Sequence, residues 1–305
     1  MILFLGGGFI ANALSAKFEE ARIEHRIVSR RSEPEAPRRN AADINSLTES
    51  SPVFDGVDTV IYFAHSSVPY SSMQNIREDA EQNISTAISL FEILSNKKIR
   101  VIYISSGGSI YGDQAGPITE ASLPSPVSAY GVAKYTIENY LKLFHHNYQL
   151  PFDILRLSNI YGVGHSSNKP QGIMGALARA FIERQRFAIW GDGSAEKDYL
   201  YIDDAVDALA KVAAAVPSND IFNVAYGSSV SVREILSLFE KYFGYKIDIE
   251  TRPPFDFDVS RVFLDNSKFR EAYDWKPKID VETGIGKTAE WLIGSGTASI
   301  PGSQP

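Results

Sequence analysis

Short apolar, β-branched runs alternate with helix-periodic stretches through the first half of this chain, and that alternation limits the fold more than any other feature. The runs are "ILFL" (2–5), "RIVS" (26–29), "DTVIYFA" (58–64), "RVIYISS" (100–106) and "FDILRL" (152–157). Helical periodicity covers Phe9 to Ala21, Asn75 to Leu94, and a stretch starting near Tyr130. The second of these carries Ile76, Ala80, Ile84, Ala87, Phe91 and Leu94 on one stripe. Strands that are apolar at consecutive positions, with helices between them, predict a parallel sheet covered on both faces.

After about residue 160 the alternation loosens. Helical patterns continue at 172–184, 204–215, 231–243 and 281–293, and "IFNVA" (221–225) reads as one more buried strand. The expected fold class is α/β, a doubly wound parallel sheet with a smaller mixed C-terminal substrate lobe. The expected domains are a doubly wound unit at 1–161 and a lobe at 162–293, in which about 200–225 returns to the first unit. A flexible tail is expected at 294–305.

The 305 residues are 44% apolar and carry a formal charge of −7. Net acidity argues against a nucleic-acid partner. Its nearest basic cluster, Arg30, Arg31, Arg38 and Arg39, is too short for a duplex. The chain has no cysteine, which excludes disulfides and thiolate metal sites, and no metal is expected. No apolar stretch approaches the roughly 18 residues of a membrane span. The N-terminal apolar run is too short for a signal core, so the expected compartment is the cytoplasm.

"FLGGGFIA" places Gly6-x-Gly8-x-x-Ala11 between the first strand and the first helix. Such a turn holds a dinucleotide pyrophosphate on helix N-terminal amides and predicts a Rossmann sheet. NAD sites end the second strand with an acid; here it ends Ser29-Arg30-Arg31. A hydroxyl and a guanidinium suit a ribose 2′-phosphate, which favours NADP over NAD. Asp43 in "AADIN" is a candidate adenine contact, or an ordinary surface acid.

Tyrosine four residues before lysine occurs twice, at Tyr130–Lys134 and at Tyr242–Lys246. With 15 tyrosines, about one chance pair is expected. Gly244 lies inside the second pair and predicts a helix end. Tyr130 and Lys134 share a helical pattern with Ala133, Ile137 and Leu141, one turn apart. A phenol exchanging a proton near pH 7 needs its pKa lowered by about 3 units, roughly 4 kcal/mol. An adjacent ammonium and a positively charged nicotinamide would supply much of that.

Together these residues resemble the extended short-chain dehydrogenase/reductases, in particular the nucleotide-sugar epimerases and reductases. The resemblance runs through Gly6–Ala11, "VIYFAH" (60–65), "ISSGGSIYG" (104–112), "SAYGVAK" (128–134), "LRLSNIYG" (155–162), "GDGSAEKDYLYIDD" (191–204), "IFNVAYG" (221–227) and "WKP" (275–277). It implies Tyr130 as acid/base and Lys134 as its partner. The cofactor site then takes in Gly6, Gly8, Phe9, Ile10, Ser29, Arg30, Asp43, Ile44, Phe63, Ala64, Ser105, Tyr130 and Lys134. Asn159 matches a diphosphate contact, and Ala188 and Trp190 match the nucleobase lining. Arg252 or Arg261 stands for the late diphosphate arginine, and Lys197 for an arginine. His145 and His146 match nothing. The family's helper Ser or Thr aligns with Gly107, so Ser109 or Ser106 would supply that hydroxyl. Ser106 also counts among the expected substrate contacts. Gly108-Ser109 replaces the Asp-Glu of the family's dehydratases, which argues against 4,6-dehydration.

The resemblance implies a nucleotide-sugar 4-epimerase working on a UDP- or dTDP-hexose through a 4-keto sugar. A 4-keto-sugar reductase drawing on NADPH is the alternative. A dinucleotide sensor without turnover is a third reading, of another class. A homodimer is expected through the helices at 75–94 and 130–147.

Overall fold

The computed structural model describes residues 1–30, 39–114, 116–164, 172–255 and 259–294. The expected sites at Arg31 and Arg38, and the tail beyond Gly294, lie outside them, as does the side chain of Arg39. In chain order the strands are β1 (Ile2–Leu5), β2 (His25–Ser29), β3 (Arg39–Ala41), β4 (Thr59–Tyr62), β5 (Arg100–Ser106), β6 (Phe152–Leu157), β7 (Asn159–Tyr161), β8 (Phe187–Trp190), β9 (Glu196–Tyr201), β10 (Asp220–Val224), β11 (Ser229–Ser231), β12 (Ile249–Arg252) and β13 (Arg261–Val262). The helices are α1 (Phe9–Glu20), α2 (Pro69–Ser72), α3 (Ile76–Lys97), α4 (Gly107–Ile110), α5 (Ala129–Tyr148), α6 (Ile173–Ile182), α7 (Ile202–Ala214), α8 (Val232–Phe243), α9 (Ser267–Tyr273) and α10 (Val281–Gly294).

Seven parallel strands form the main sheet in the order β10-β6-β5-β4-β1-β2-β3. This is the doubly wound α/β architecture that the alternating pattern predicts, and the strand order reverses between β1 and β4. Successive residues of β1 face opposite layers. Phe4 joins a core with Leu14 and Phe18 of α1 and Leu209 of α7. Leu3 and Leu5 join a second core with Phe91 and Leu94 of α3 and Leu141 of α5. Each fully buried side chain of this size contributes about 1.5–3 kcal/mol, which is why both faces stay covered. Charged residues within the strands are paired: Arg100 Nε donates to Asp153 Oδ2 at 2.9 Å, and Arg156 Nη2 to Glu138 Oε2 at 2.6 Å.

Beyond β6 the chain adds smaller sheets, β11-β9-β13 with β7 on β9, and β12-β8, which form the mixed C-terminal part. Apart from β9, whose last four residues are buried, their strands are short and half-exposed, so no long apolar run announces them in the sequence.

The α3 stripe differs from its sequence expectation. Ile76 is 56% exposed, and the buried face of the first turns carries Asp79 and Asn83 instead. That end of α3 projects past the sheet and faces the polar loop after β4. Asn83 Oδ1 accepts from Ser66 N at 2.8 Å, and Ser67 donates to Asp79.

Candidate active site

The C-terminal edge of the sheet is shaped for a dinucleotide at the β1–α1 turn. Gly6 has φ +107°, and a Cβ there would stand 2.8 Å from the Ala64 amide nitrogen, so only glycine lets β1 turn beside the end of β4. Nothing lies within 4 Å of a Cβ placed on Gly8. The N-terminus of α1 has no side-chain cap and no acid in its first turn. Its amides and dipole therefore suit an anion, and the residues present fit a pyrophosphate. Phe9 and Ile10 open α1, and Phe63 and Ala64 donate their amides to Leu5 O, each at 2.9 Å.

Ser29 is half-buried at the end of β2, and Arg30 beside it is exposed. Asp43 caps a short 3-10 turn, Ile44–Ser46, with its Oδ1 accepting from Asn45 N at 3.0 Å. Ile44 packs on the α3 side of the sheet. Ser105 is committed inward: its hydroxyl donates to Glu138 Oε1 at 2.6 Å.

Ser128 caps α5 by accepting from Gly131 N at 3.2 Å, which sets the register of Tyr130 and Lys134. Lys134 is 3% exposed. Its Nζ donates to Ile104 O at 2.8 Å and lies 5.8 Å from the Tyr130 ring centroid. Burial lowers the Lys134 pKa to about 7, against the opposing pull of Glu138 and Asp79. Burial raises the Tyr130 phenol to about 12, with Asp79 adding to the rise, while the Ser106 hydroxyl lowers it. The other Tyr–Lys pair separates: Gly244 ends α8 at φ +73°, and Lys246 is a surface side chain 3.9 Å from Glu240.

Of the two hydroxyls considered for the helper role, Ser106 is the one that acts on the phenol, lowering its pKa. Ser109 sits half-buried on α4. Position 107 has no room for a side chain, because Leu264 fills the space where a Cβ would stand.

The expected substrate residues form two groups. Asn159 flanks Gly108 and donates to Asp198 O at 2.9 Å, close to the Tyr130 end. Ala188 and Trp190 lie on the same side of β8, and Arg252 of β12 pairs in register with Trp190. The Arg252 guanidinium is 5.5 Å from the Trp190 ring, and its Nε donates to Glu250 at 2.9 Å. Phe255 stacks on Trp190 at 5.5 Å and also meets Tyr70 of α2 at 5.5 Å, so an aromatic row joins the two lobes. Lys197 donates to Val259 O, and Arg261 pairs with Glu196 at 3.1 Å.

The sequence profile of the NAD dependent epimerase/dehydratase family matches residues 2–225. The chain belongs to that family. It is an enzyme of the short-chain dehydrogenase/reductase type. The UDP-glucose 4-epimerase of Mycolicibacterium smegmatis is 31% identical over 216 residues, 70% of this chain and 69% of that one. The dTDP-4-dehydro-6-deoxyglucose reductase of Escherichia coli is 28% identical over 232 residues, 76% of this chain and 73% of that one. Among solved structures, MoeE5 in complex with UDP-glucuronic acid and NAD superposes with a TM-score of 0.90 at 26% identity, covering 96% of this chain and 99% of that one.

Sequence reasoning missed several residues of this epimerase/dehydratase-family site. Glu138 ties Arg156, Ser105 and the electrostatics of Lys134 together from one buried position. His65 and Asp79 lie beside Tyr130; His65 closes the "VIYFAH" run but was given no role, and Asp79 belongs to no motif. The signal for His65 was place: it lies just past β4, at the sheet edge where ligands bind. Among the described residues no cluster suited to a metal occurs, and no helix is long and apolar enough to cross a membrane.

Proposed function

We propose that the protein is a NAD-dependent nucleotide-sugar 4-epimerase acting at C4 of a UDP- or dTDP-hexose through a 4-keto sugar. One observation carries the reading: the buried Lys134 amine lies 5.8 Å from the Tyr130 ring centroid, one turn along α5 at the C-terminal edge of the sheet. Tyr130 takes the proton of the C4 hydroxyl and later returns it. Ser106 would orient the phenol, and Lys134, anchored on Ile104 O, would hold the nicotinamide ribose hydroxyls. Bound NAD supplies reversible hydride exchange at C4 and a positive charge that lowers the phenol pKa. Trp190 and Ala188 line the base, and Arg252 neutralises the diphosphate, leaving the hexose free to turn.

A second reading is a 4-keto-sugar reductase. The phenol held near 12 keeps its proton at neutral pH, which suits a donor to a keto oxygen. The reductase relative from Escherichia coli supports it as well. NADP, favoured by Ser29 and Arg30 in the sequence, finds no support among the relatives; the solved relative MoeE5 binds NAD. The deciding experiment is mass and absorbance analysis of dinucleotide released from purified protein, with assays on UDP- and dTDP-hexoses. Tightly held NAD⁺ and interconversion of C4 epimers support the epimerase. An empty site that binds NADPH and consumes it with a 4-keto sugar overturns it. Full biological function in Tyr130→Phe would sink both in favour of a sensor.

The same reading includes a homodimer through α3 and α5, whose outer faces leave Ile76, Val132 and Leu143 about half-exposed.

A further inference from the structure

His65 follows β4 at the same sheet edge, and its ring meets the Tyr130 ring edge-on, with centroids 4.7 Å apart. Its side chain is only 6% exposed. Neither Nδ1 nor Nε2 has a hydrogen-bond partner, and the same holds for Asp79 Oδ2. The nearest carboxylate oxygen to Nε2 is Asp79 Oδ1, at 3.9 Å, too long for a hydrogen bond. Three orphaned polar atoms in one place would be costly in a site with nothing to bind. The surrounding loop is pinned as well: Asn83 Nδ2 donates to Ser66 Oγ at 2.9 Å and to Asp79 Oδ1 at 3.1 Å, and Tyr130 N donates to Ser72 Oγ at 3.0 Å. The imidazole is therefore held against Tyr130 by a fixed frame.

We propose that His65 is a ligand-contacting residue of the Tyr130 site, accepting a hydrogen bond from a hydroxyl of a sugar ring held there. This rests on the epimerase/reductase reading. No hydrogen bond fixes the tautomer, so the unprotonated nitrogen of the neutral ring, Nδ1 or Nε2, is the acceptor. Burial and the Lys134 charge hold the ring neutral, as an acceptor requires. Two sugar rings offer that chemistry: the nicotinamide ribose and the substrate hexose.

The test uses the full chain with His65→Phe and His65→Asn. Phenylalanine keeps the edge contact with Tyr130 and removes both nitrogens; asparagine keeps an acceptor close to the Nδ1 position. His65→Phe should fold with an unchanged or higher Tm and lose about tenfold in kcat/KM, the scale of one hydrogen bond. His65→Asn should recover most of that loss. An NAD⁺ titration assigns the contact: weakened binding points to the ribose, while a raised KM for the nucleotide sugar with unchanged NAD⁺ affinity points to the hexose. Wild-type kcat/KM in His65→Phe, or a lower Tm with activity intact, overturns the proposal and leaves the functional reading standing. Wild-type protein that neither binds NAD⁺ nor converts any UDP- or dTDP-hexose fails that reading itself, and the His65 assignment with it.

Discussion

Leu264, fully buried, occupies the position where a side chain on Gly107 would begin. The segment after β13 thereby limits the residue type that position 107, at the start of α4, accepts. In the proposed mechanism the helper hydroxyl would then come from a neighbour of Gly107, with Ser106 the first candidate.

Restoring the usual helper by Gly107→Ser should therefore harm the protein. The added atoms overpack the site, at a cost of about 1–3 kcal/mol in urea unfolding. Combined with Leu264→Ala, the two losses should sum to less than their separate values, because the cavity accepts the new side chain. Strict additivity would show that the two positions do not compete for space.

Ser106→Ala removes the phenol's hydroxyl partner and should lower kcat by about tenfold or more, with little change in Tm. Ser109→Ala should cost less. Steady-state assays of both variants with one substrate check the order, and the reverse order would return the helper role to Ser109.

Lys134 titrates near 7 in the fold, against 10.5 for an ordinary lysine. Between those values the unfolded chain binds more protons than the folded one, so this group opposes folding below pH 7 and ceases to do so as pH rises toward 10.5. Lys134→Met should therefore be more stable than wild type at pH 7. The gap should close by at most about 1.4 kcal/mol per pH unit up to pH 9. Urea unfolding at each pH measures it, and a gap that does not vary with pH would mean that the amine is not buried in its charged form.

Glu138→Gln leaves the Arg156 guanidinium buried without its counter-charge. It should cost about 3–5 kcal/mol of stability, measured by thermal or urea unfolding. It also removes the carboxylate that raises the Lys134 pKa, so the amine should titrate lower still. A loss under about 1 kcal/mol would place the pair among solvent-screened bridges.

Val132 and Leu143 lie three turns apart on the outer face of α5, and each is 48% exposed. Val132→Glu with Leu143→Glu should convert a dimer to monomer in analytical ultracentrifugation while leaving the fold intact. A wild-type protein that sediments as a monomer would remove the dimer from the reading.

The buried strands β1, β2, β4, β5 and β6, the glycine turn and the Tyr130–Lys134 register were legible in the sequence because each follows from local spacing. A strand alternates its faces, a helix brings residues four apart together, and Gly6 answers to its own turn. The short strands β7, β8, β11, β12 and β13 were not legible, since half-exposed segments of two to four residues leave no periodic signal. The stripe on α3 held through Ile84, Ala87, Phe91 and Leu94 and failed only at its first turn, where Ile76 is exposed and a loop rather than the sheet covers that end.

The chain by itself determined which layers form and which helix presents Tyr130 and Lys134 one turn apart. Only the tertiary structure decided that Leu264 packs where a side chain at 107 would begin, and that His65 and Asp79 stand beside Tyr130. These contacts join segments far apart in the chain, and their geometry depends on packing between elements. Backbone periodicity carries no information about that packing.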